Sequence, residues 1–319
     1  MIGSTKRNNM ENNDVMGELD ARLEAQPRIS RSSEAFAKYN MEVDEHLVES
    51  ILEKAAKDSV NEMNSENLKR IFSLIDLTSL TCTDTEDSIL ALVEKVNGFE
   101  EKYPDLPSVA SICTYPCYSG LVSRSLEVES VNVCSVAAGF PSAQTFQEVK
   151  IAEVGLAIHD GATEIDIVQN PGLILNGDFE TVSQDTDEIK EFCGENTLKV
   201  ILETGALKTL DNVKKAAIVA MYSGADFIKT STGKEVPGAD PKSFCTMCLA
   251  IKEYAAVTGR KVGIKAAGGI RQTSQAVLYW TIVKNVLGKD WLNNKLFRIG
   301  ASSLADNLLS DILGEPTSL

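Results

Sequence analysis

The sequence predicts an α/β protein built as a (β/α)8 barrel of the TIM type, with an N-terminal helical or disordered extension. Three observations carry this expectation. Short apolar runs alternate with longer amphipathic segments eight times. The repeat is about 32 residues over roughly 250 residues, the scale of such a barrel. Charged and hydroxyl residues gather at the C-terminal ends of the runs, where barrel enzymes keep their chemistry.

Along the chain, residues 1–45 are rich in Asn, Glu and Ser without sustained periodicity, and read as a mobile tail. Residues 46–70 read as a lead-in helix with Leu47, Ile51 and Leu52 at helical spacing, so one barrel domain is expected over 46–319. The eight runs are FSLIDLT (72–78), VASIC (109–113), VNVCSVAAG (131–139), TEIDIV (163–168), LKVILETG (198–205), DFIKTS (226–231), VGIKAAGG (262–269) and FRIGASS (297–303). Helix signals fall between them. Thr83 and Glu86 fit a capping box ahead of Ile89, Leu92, Val93 and Val96. Asp178 suits the start of a helix that Gly194 ends, and Asp240-Pro241 sets an N-cap before a first-position Pro.

A doubly wound open sheet alternates strands and helices in the same way. However, no G-x-G-x-x-G opens a helix after the first run. Gly233-Lys234 falls short of a Walker A motif, because Glu235 follows and Ile228 stands where the first Gly belongs.

Composition narrows the function classes. A net charge of −15 and a pI near 4.7 argue against a nucleic-acid or anionic-membrane surface. No run approaches the ~18 apolar residues of a membrane span, and the first residues lack a signal-peptide core. Seven scattered cysteines fit a reduced, cytoplasmic chain, and the lone Cys245-x-x-Cys248 pair fits core thiols on a helix. His46 and His159 are the two histidines. They are too few for the usual zinc site or a Ser-His-Asp arrangement, so no metal is expected.

The ends of the runs then select candidates. The first ends in Asp76-Leu77-Thr78, the fourth carries Asp166, the fifth ends in Glu203-Thr204-Gly205, the sixth in Lys229 and the seventh in Lys265. Alternation puts Asp166 opposite Ile165 and Ile167, Lys229 opposite Ile228, and Lys265 opposite Val262 and Ile264. Aliphatic residues packed outward would turn these three charges into the barrel. Lys199 opens its run and is expected at a solvated strand end.

An amine that attacks a carbonyl must be neutral. Free Lys titrates near ~10.4, and holding half of it neutral near pH ~7.4 takes roughly 4 kcal/mol. A second ammonium ~4 Å away at an effective dielectric near ~20 supplies about that much. Two lysines and an aspartate thus fit amine catalysis, and a structural ion cluster fits the same pattern. Gly268-Gly269 after the seventh run, and Gly300, Ser302 and Ser303 after the eighth, occupy the loops where barrels hold phosphate. Gly233, Lys234 and Arg271 are placed to join them; ordinary loop glycines are the alternative.

GADFIKTSTGK, GIKAAGGIR, RIGASSL, DLTSLTCTDTE and GATEIDIV together resemble the 2-deoxyribose-5-phosphate aldolase family, its animal-type branch in particular, over residues 70–313. The resemblance implies a class I aldolase without cofactor or metal. It would reversibly cleave 2-deoxy-D-ribose 5-phosphate to acetaldehyde and D-glyceraldehyde 3-phosphate, in deoxyribose phosphate breakdown. It makes Lys229 the Schiff-base lysine, Lys265 the lysine that keeps it neutral, and Asp166 the acid/base. Asp76 and Thr78 would stand near the substrate hydroxyls, with Gly233, Lys234, Gly268, Gly269, Arg271, Gly300, Ser302 and Ser303 at its phosphate. The implied partner is a small phosphosugar, with no nucleic acid and no membrane. Oligomeric state is left open, a homodimer being one compatible assembly.

Three features depart from or qualify the family pattern. Ala266 replaces the usual Pro of K-P-A-G-G, and no Tyr follows Tyr279, whereas some members end in a tail whose Tyr nears the site. Cys113 matches a cysteine near the substrate, though a core thiol fits equally well. A transaldolase-like barrel, a pyridoxal-phosphate barrel and a non-catalytic sugar-phosphate binder remain competing classes. Substrate panels, a visible absorption band and aldehyde release separate them.

Overall fold

The computed structural model describes residues 31–319. Each of the eight apolar runs coincides with one strand, β2 ending and β5 beginning one residue outside its run: β1 Ile75–Thr78, β2 Ser111–Thr114, β3 Asn132–Val136, β4 Glu164–Val168, β5 Thr197–Ile201, β6 Phe227–Lys229, β7 Gly263–Ala267 and β8 Phe297–Ala301. All neighbours are parallel, and β8 pairs with β1, closing the barrel. The register sets Lys229 beside Lys265 and Lys265 beside Arg298.

Each strand splits its residues between two environments. Ile165, Ile167, Val200, Ile228, Ile264 and Ile299 are fully buried in the apolar cluster formed with the surrounding helices. The alternate positions Glu164, Asp166, Lys199, Lys229, Lys265 and Arg298 are also buried, and they form ion pairs with one another. Charges withdrawn from water survive only when paired, so this interior is a network.

Helices begin and end where side chains can satisfy free backbone groups. Asp178 accepts from the Thr181 N–H, and Asp240 from the Ser243 N–H ahead of the helix Pro241–Thr258. Gly194 closes the helix Phe179–Cys193. The helix Glu86–Asn97 starts later than expected: Thr85 and Ser88, not Thr83 and Glu86, exchange the capping-box hydrogen bonds. Asp84 explains the shift, since it binds Ser79, Thr81 and the Thr81 N–H and holds Thr83 in the preceding loop.

The lead-in segment is two helices, Glu45–Glu62 and Ser65–Phe72, because Asn64 caps a restart by accepting from the Asn67 N–H. The tail expected to extend to residue 45 stops being free well before it. Phe36 meets Phe179 edge-on at 4.9 Å, the Tyr39 and Tyr222 hydroxyls lie 3.0 Å apart, and the Val43 N–H donates to Asp211 at 2.8 Å. Two aromatic contacts give this polar stretch its anchor. Residues 1–30 of the expected tail lie outside the described residues.

Candidate active site

At the C-terminal end of the barrel a cavity of about 240 Å3 opens. Its floor holds Lys229, 3% exposed, while Asp166, Lys199 and Lys265 beneath it are wholly buried. Lys229 Nζ and Lys265 Nζ each donate to the same oxygen, Asp166 Oδ2, at 2.8 Å. The other carboxylate oxygen accepts from Lys199 Nζ at 3.1 Å and from the Cys134 thiol at 3.3 Å.

A second layer lies below. Lys265 reaches Asp76 at 2.5 Å, Lys199 reaches Glu164 at 2.6 Å, and Arg298 spans Asp76 at 2.6 Å and Glu164 at 2.7 Å. Four cationic side chains, Lys199, Lys229, Lys265 and Arg298, thus face three carboxylates, Asp76, Glu164 and Asp166. With every group ionised the cluster carries one positive charge in excess. Lys229 has one carboxylate partner; Lys265 has two and Lys199 three. Lys229 is therefore the amine of the network with the fewest carboxylate partners.

Electrostatics fix the other members. Burial alone would raise Asp166, but Lys199, Lys229 and Lys265 outweigh it and hold the carboxyl well below its usual range. Burial likewise opposes the charge on Lys265, yet Asp166 and Asp76 raise it above an ordinary lysine. Lys265 is accordingly a fixed positive charge next to Lys229. Asp166 in the resting protein is an ion-pair hub rather than a free base.

Two of the expected placements change. Lys199 is not at a solvated strand end; it is fully buried and central to the network, because Leu198 and Val200 take the outer face and turn it inward. Asp76 lies beneath Lys265 and Arg298 and is not among the cavity residues, whereas Thr78, one inward step further along β1, is. Of the two readings open for Cys113, its place fits the core thiol: it is paired in register with Cys134, buried and outside the cavity lining. Glu164, Arg298 and Cys134 did not emerge from the sequence as site residues. Strand alternation would have found Glu164 and Arg298, since each stands opposite a core isoleucine, Ile165 and Ile299.

The cavity wall is built from the loops after β6 and β7 and from the end of β8 with the helix start that follows it. They contribute Gly233 and Lys234, then Gly268, Gly269 and Arg271, then Gly300, Ser302 and Ser303. Geometry favours glycine at three positions, Gly238, Gly268 and Gly300. Gly268 has φ +97°, and its carbonyl oxygen would lie 2.5 Å from a Cβ added at Gly238, so the β6 and β7 loops touch backbone to backbone. A Cβ at Gly300 would lie 3.1 Å from Lys265 Cε, so Gly300 leaves room for that lysine. The helix Ser303–Leu313 starts at the cavity, and its N-cap Ser302 makes no side-chain capping bond. The first turn of a helix offers N–H groups and a partial positive charge to an anion. Lys234 lies across the opening, donating to the Leu80 carbonyl of the β1 loop.

The DeoC/LacD family aldolase profile matches residues 74–303, which include every residue named above at this site. The chain belongs to this aldolase family. It is 42% identical over 260 residues to the deoxyribose-phosphate aldolase of Homo sapiens, covering 77% of this chain and 79% of that one. The Mus musculus deoxyribose-phosphate aldolase is 40% identical over 274 residues, covering 81% and 83%. Among solved structures, the deoxyribose phosphate aldolase from Aeropyrum pernix, described as tetrameric, superposes with TM-score 0.62 at 28% identity over 82% of this aldolase and 96% of that chain. The (β/α)8 fold recurs in a Toxoplasma gondii protein at TM-score 0.70, with 23% identity over 80% and 97% of the two chains. The buried Cys245 and Cys248 belong to the core, as expected. No helix among the described residues of the aldolase is long and apolar enough to cross a membrane.

Proposed function

We propose that this aldolase cleaves 2-deoxy-D-ribose 5-phosphate to acetaldehyde and D-glyceraldehyde 3-phosphate through a Schiff base on Lys229. One observation carries the assignment. Lys229 is the single member of the charged network that opens on the cavity, and it shares its only carboxylate oxygen with Lys265.

The chemistry follows from that sharing. Neutral Lys229 adds to the aldehyde carbon of the open-chain sugar, and loss of water leaves an iminium. Conversion of Lys229 replaces an ammonium with three N–H donors by an iminium with one, which loosens its hold on Asp166. The carboxylate then takes the C3 hydroxyl proton, directly or through a water, with Lys265 holding its second position. The C2–C3 bond breaks, its electrons enter the iminium as an enamine, and D-glyceraldehyde 3-phosphate leaves. Protonation at C2 and hydrolysis release acetaldehyde and restore Lys229. Acid/base assistance of this kind contributes about 10²–10⁴-fold, and the covalent electron sink is the larger element.

The glycine-rich wall takes the phosphate. Gly233, Lys234, Gly268, Gly269, Arg271, Gly300, Ser302 and Ser303 bring backbone amides, two cations and two hydroxyls to one side of the floor. Thr78 stands across it, near the sugar hydroxyls. Asp76 acts one layer down, by anchoring Lys265.

Seven unpaired cysteines favour a reducing, cytoplasmic setting, and deoxyribose phosphate breakdown is the reading's place in metabolism. A homodimer is the assembly proposed. Exposed Phe146, Val149 and Leu156 supply apolar surface for it, and light scattering would reject it by returning a monomer mass.

Borohydride reduction in the presence of the sugar phosphate tests the mechanism. A stable mass adduct is expected on Lys229. An adduct on Lys265 would exchange the two lysine roles, and none at all from folded protein would reject the Schiff base.

A further inference from the structure

Glu203 stands just past β5 with φ 52° and ψ 57°, the left-handed region that an L side chain enters only at steric cost. It is 2% exposed. A buried carboxylate needs partners, and the hydrogen bonds of this one all go to Thr232. Oε2 accepts the Thr232 hydroxyl at 2.5 Å, and the two oxygens share the Thr232 N–H at 3.2 and 3.3 Å. The Thr232 hydroxyl oxygen in turn accepts the Lys234 N–H at 3.0 Å. None of these bonds involves Lys229, Asp166 or Lys265.

The neighbouring backbone repeats the arrangement. The Thr204 N–H donates to the Thr230 carbonyl at 2.9 Å. A Cβ added at Gly205 would lie 2.3 Å from the Pro237 carbonyl oxygen. The end of β5 is therefore a platform on which the loop 230–238 rests, and that loop supplies Thr232, Gly233 and Lys234 to the cavity.

We propose that Glu203 is a positioning residue for phosphate selectivity: through Thr232 it fixes the β6 loop so that Gly233 and Lys234 meet the phosphate of the substrate. The strained backbone at Glu203 is what aims its carboxylate at Thr232. The proposal rests on the reading that the glycine-rich wall takes the phosphate. Its consequence is specific: Glu203 governs the preference for a phosphorylated sugar and leaves the chemistry at Lys229 intact.

The experiment compares 2-deoxyribose 5-phosphate with unphosphorylated 2-deoxyribose in the full-length protein, with inorganic phosphate as a competing ligand. Glu203→Ala is expected to raise KM for the phosphate ester and the inhibition constant of phosphate about tenfold, while kcat/KM for 2-deoxyribose changes less than about twofold. Borohydride trapping on Lys229 persists. Glu203→Gln keeps an oxygen that accepts the Thr232 hydroxyl, and is expected to restore at least half of the lost preference. An equal loss on both sugars, or an unchanged preference, overturns the proposal. Should Glu203→Ala not fold, Glu203→Asp, whose shorter side chain draws the carboxylate back from Thr232, carries the same test: KM rises for the ester alone, or the proposal fails. A wild-type protein with no preference for the phosphate ester would instead sink the phosphate-wall reading itself, before any variant is made.

Discussion

β4 turns Ile165 and Ile167 toward the helices, and Glu164 and Asp166 toward the barrel axis. All four are buried, yet the two faces are held by different physics. The outward pair is stabilised by non-directional burial, worth about 1.5–3 kcal/mol per side chain, and tolerates change in proportion to volume. The inward pair gains nothing from burial by itself. It survives because Lys199, Lys229, Lys265 and Arg298 stand at hydrogen-bond distance, and removing one partner leaves a charge that neither water nor protein satisfies. The apolar face thus makes the barrel, and the charged face makes it reactive at the one amine that opens on the cavity.

The strongest way to break this contrast is at Lys229. Lys229→Leu is expected to lower kcat on the order of 10⁴-fold or more, the scale on which loss of a catalytic side chain registers. Protection of the folded protein by inorganic phosphate should persist, because the phosphate wall lies on other residues. Equal loss of turnover and phosphate binding in folded protein would merge the two regions into one.

Lys199→Met is the next largest, and acts on stability. It leaves Asp76, Glu164 and Asp166 each short of a cation, at about 3–5 kcal/mol for a broken buried pair. A urea midpoint little different from wild type would place Lys199 outside the network. The same network sets the pH response. Asp166 and Asp76 are depressed in the folded state, so their contribution is present above the unfolded value near ~3.9 and is lost as pH falls through their folded values. Lys199 and Lys265 are raised, so theirs is full below ~10.4 and is lost as pH rises beyond it. Urea midpoints should therefore form a plateau between about pH 5 and 9 and fall on both sides. Lys199→Met should weaken the alkaline fall.

Much of this was legible in the chain because alternation is a local signal. Eight apolar runs marked eight strands, and Asp166, Lys229 and Lys265 stood opposite aliphatic neighbours. Asp178 and Asp240 marked their helix starts. What escaped depended on partners far along the chain. Lys199 resembles a solvated strand end until Glu164, 35 residues earlier, is seen 2.6 Å away. Asp76 and Thr78 look equivalent on one strand face, and only the depth of Lys265 separates them. Thr83 satisfies a capping pattern as well as Thr85 does, but Asp84 binds the loop around it. Glu203 is selected as the end of the fifth run but given no role, because its backbone leaves the strand conformation there and its partner Thr232 lies on another loop.

A smaller change probes the phosphate wall without touching the charged floor. Ser302→Asp sets a carboxylate at the start of the helix Ser303–Leu313, where like charge opposes the phosphate. KM for the phosphate ester should rise about tenfold, equivalent to about 1.4 kcal/mol, with kcat nearly unchanged. An unaltered KM would move the phosphate to another wall.

The smallest effect comes from the other face of β4. Ile165→Val removes one methylene from the strand–helix layer, directly behind the backbone that carries Asp166. The expected cost is about 0.5–1.5 kcal/mol in stability. Because side chains on opposite faces of a strand share no contacts, kcat should stay within about twofold of wild type, well under the tenfold that 1.4 kcal/mol would produce. A larger fall in kcat would show that outward packing fixes the Asp166 carboxylate to within tenths of an ångström, since such shifts weaken ion pairs made at 2.8 Å. The two faces of the strand would then be one mechanical unit. A fall in stability alone keeps them separate, with the apolar layer setting how long the barrel lasts and the charged interior setting what it does.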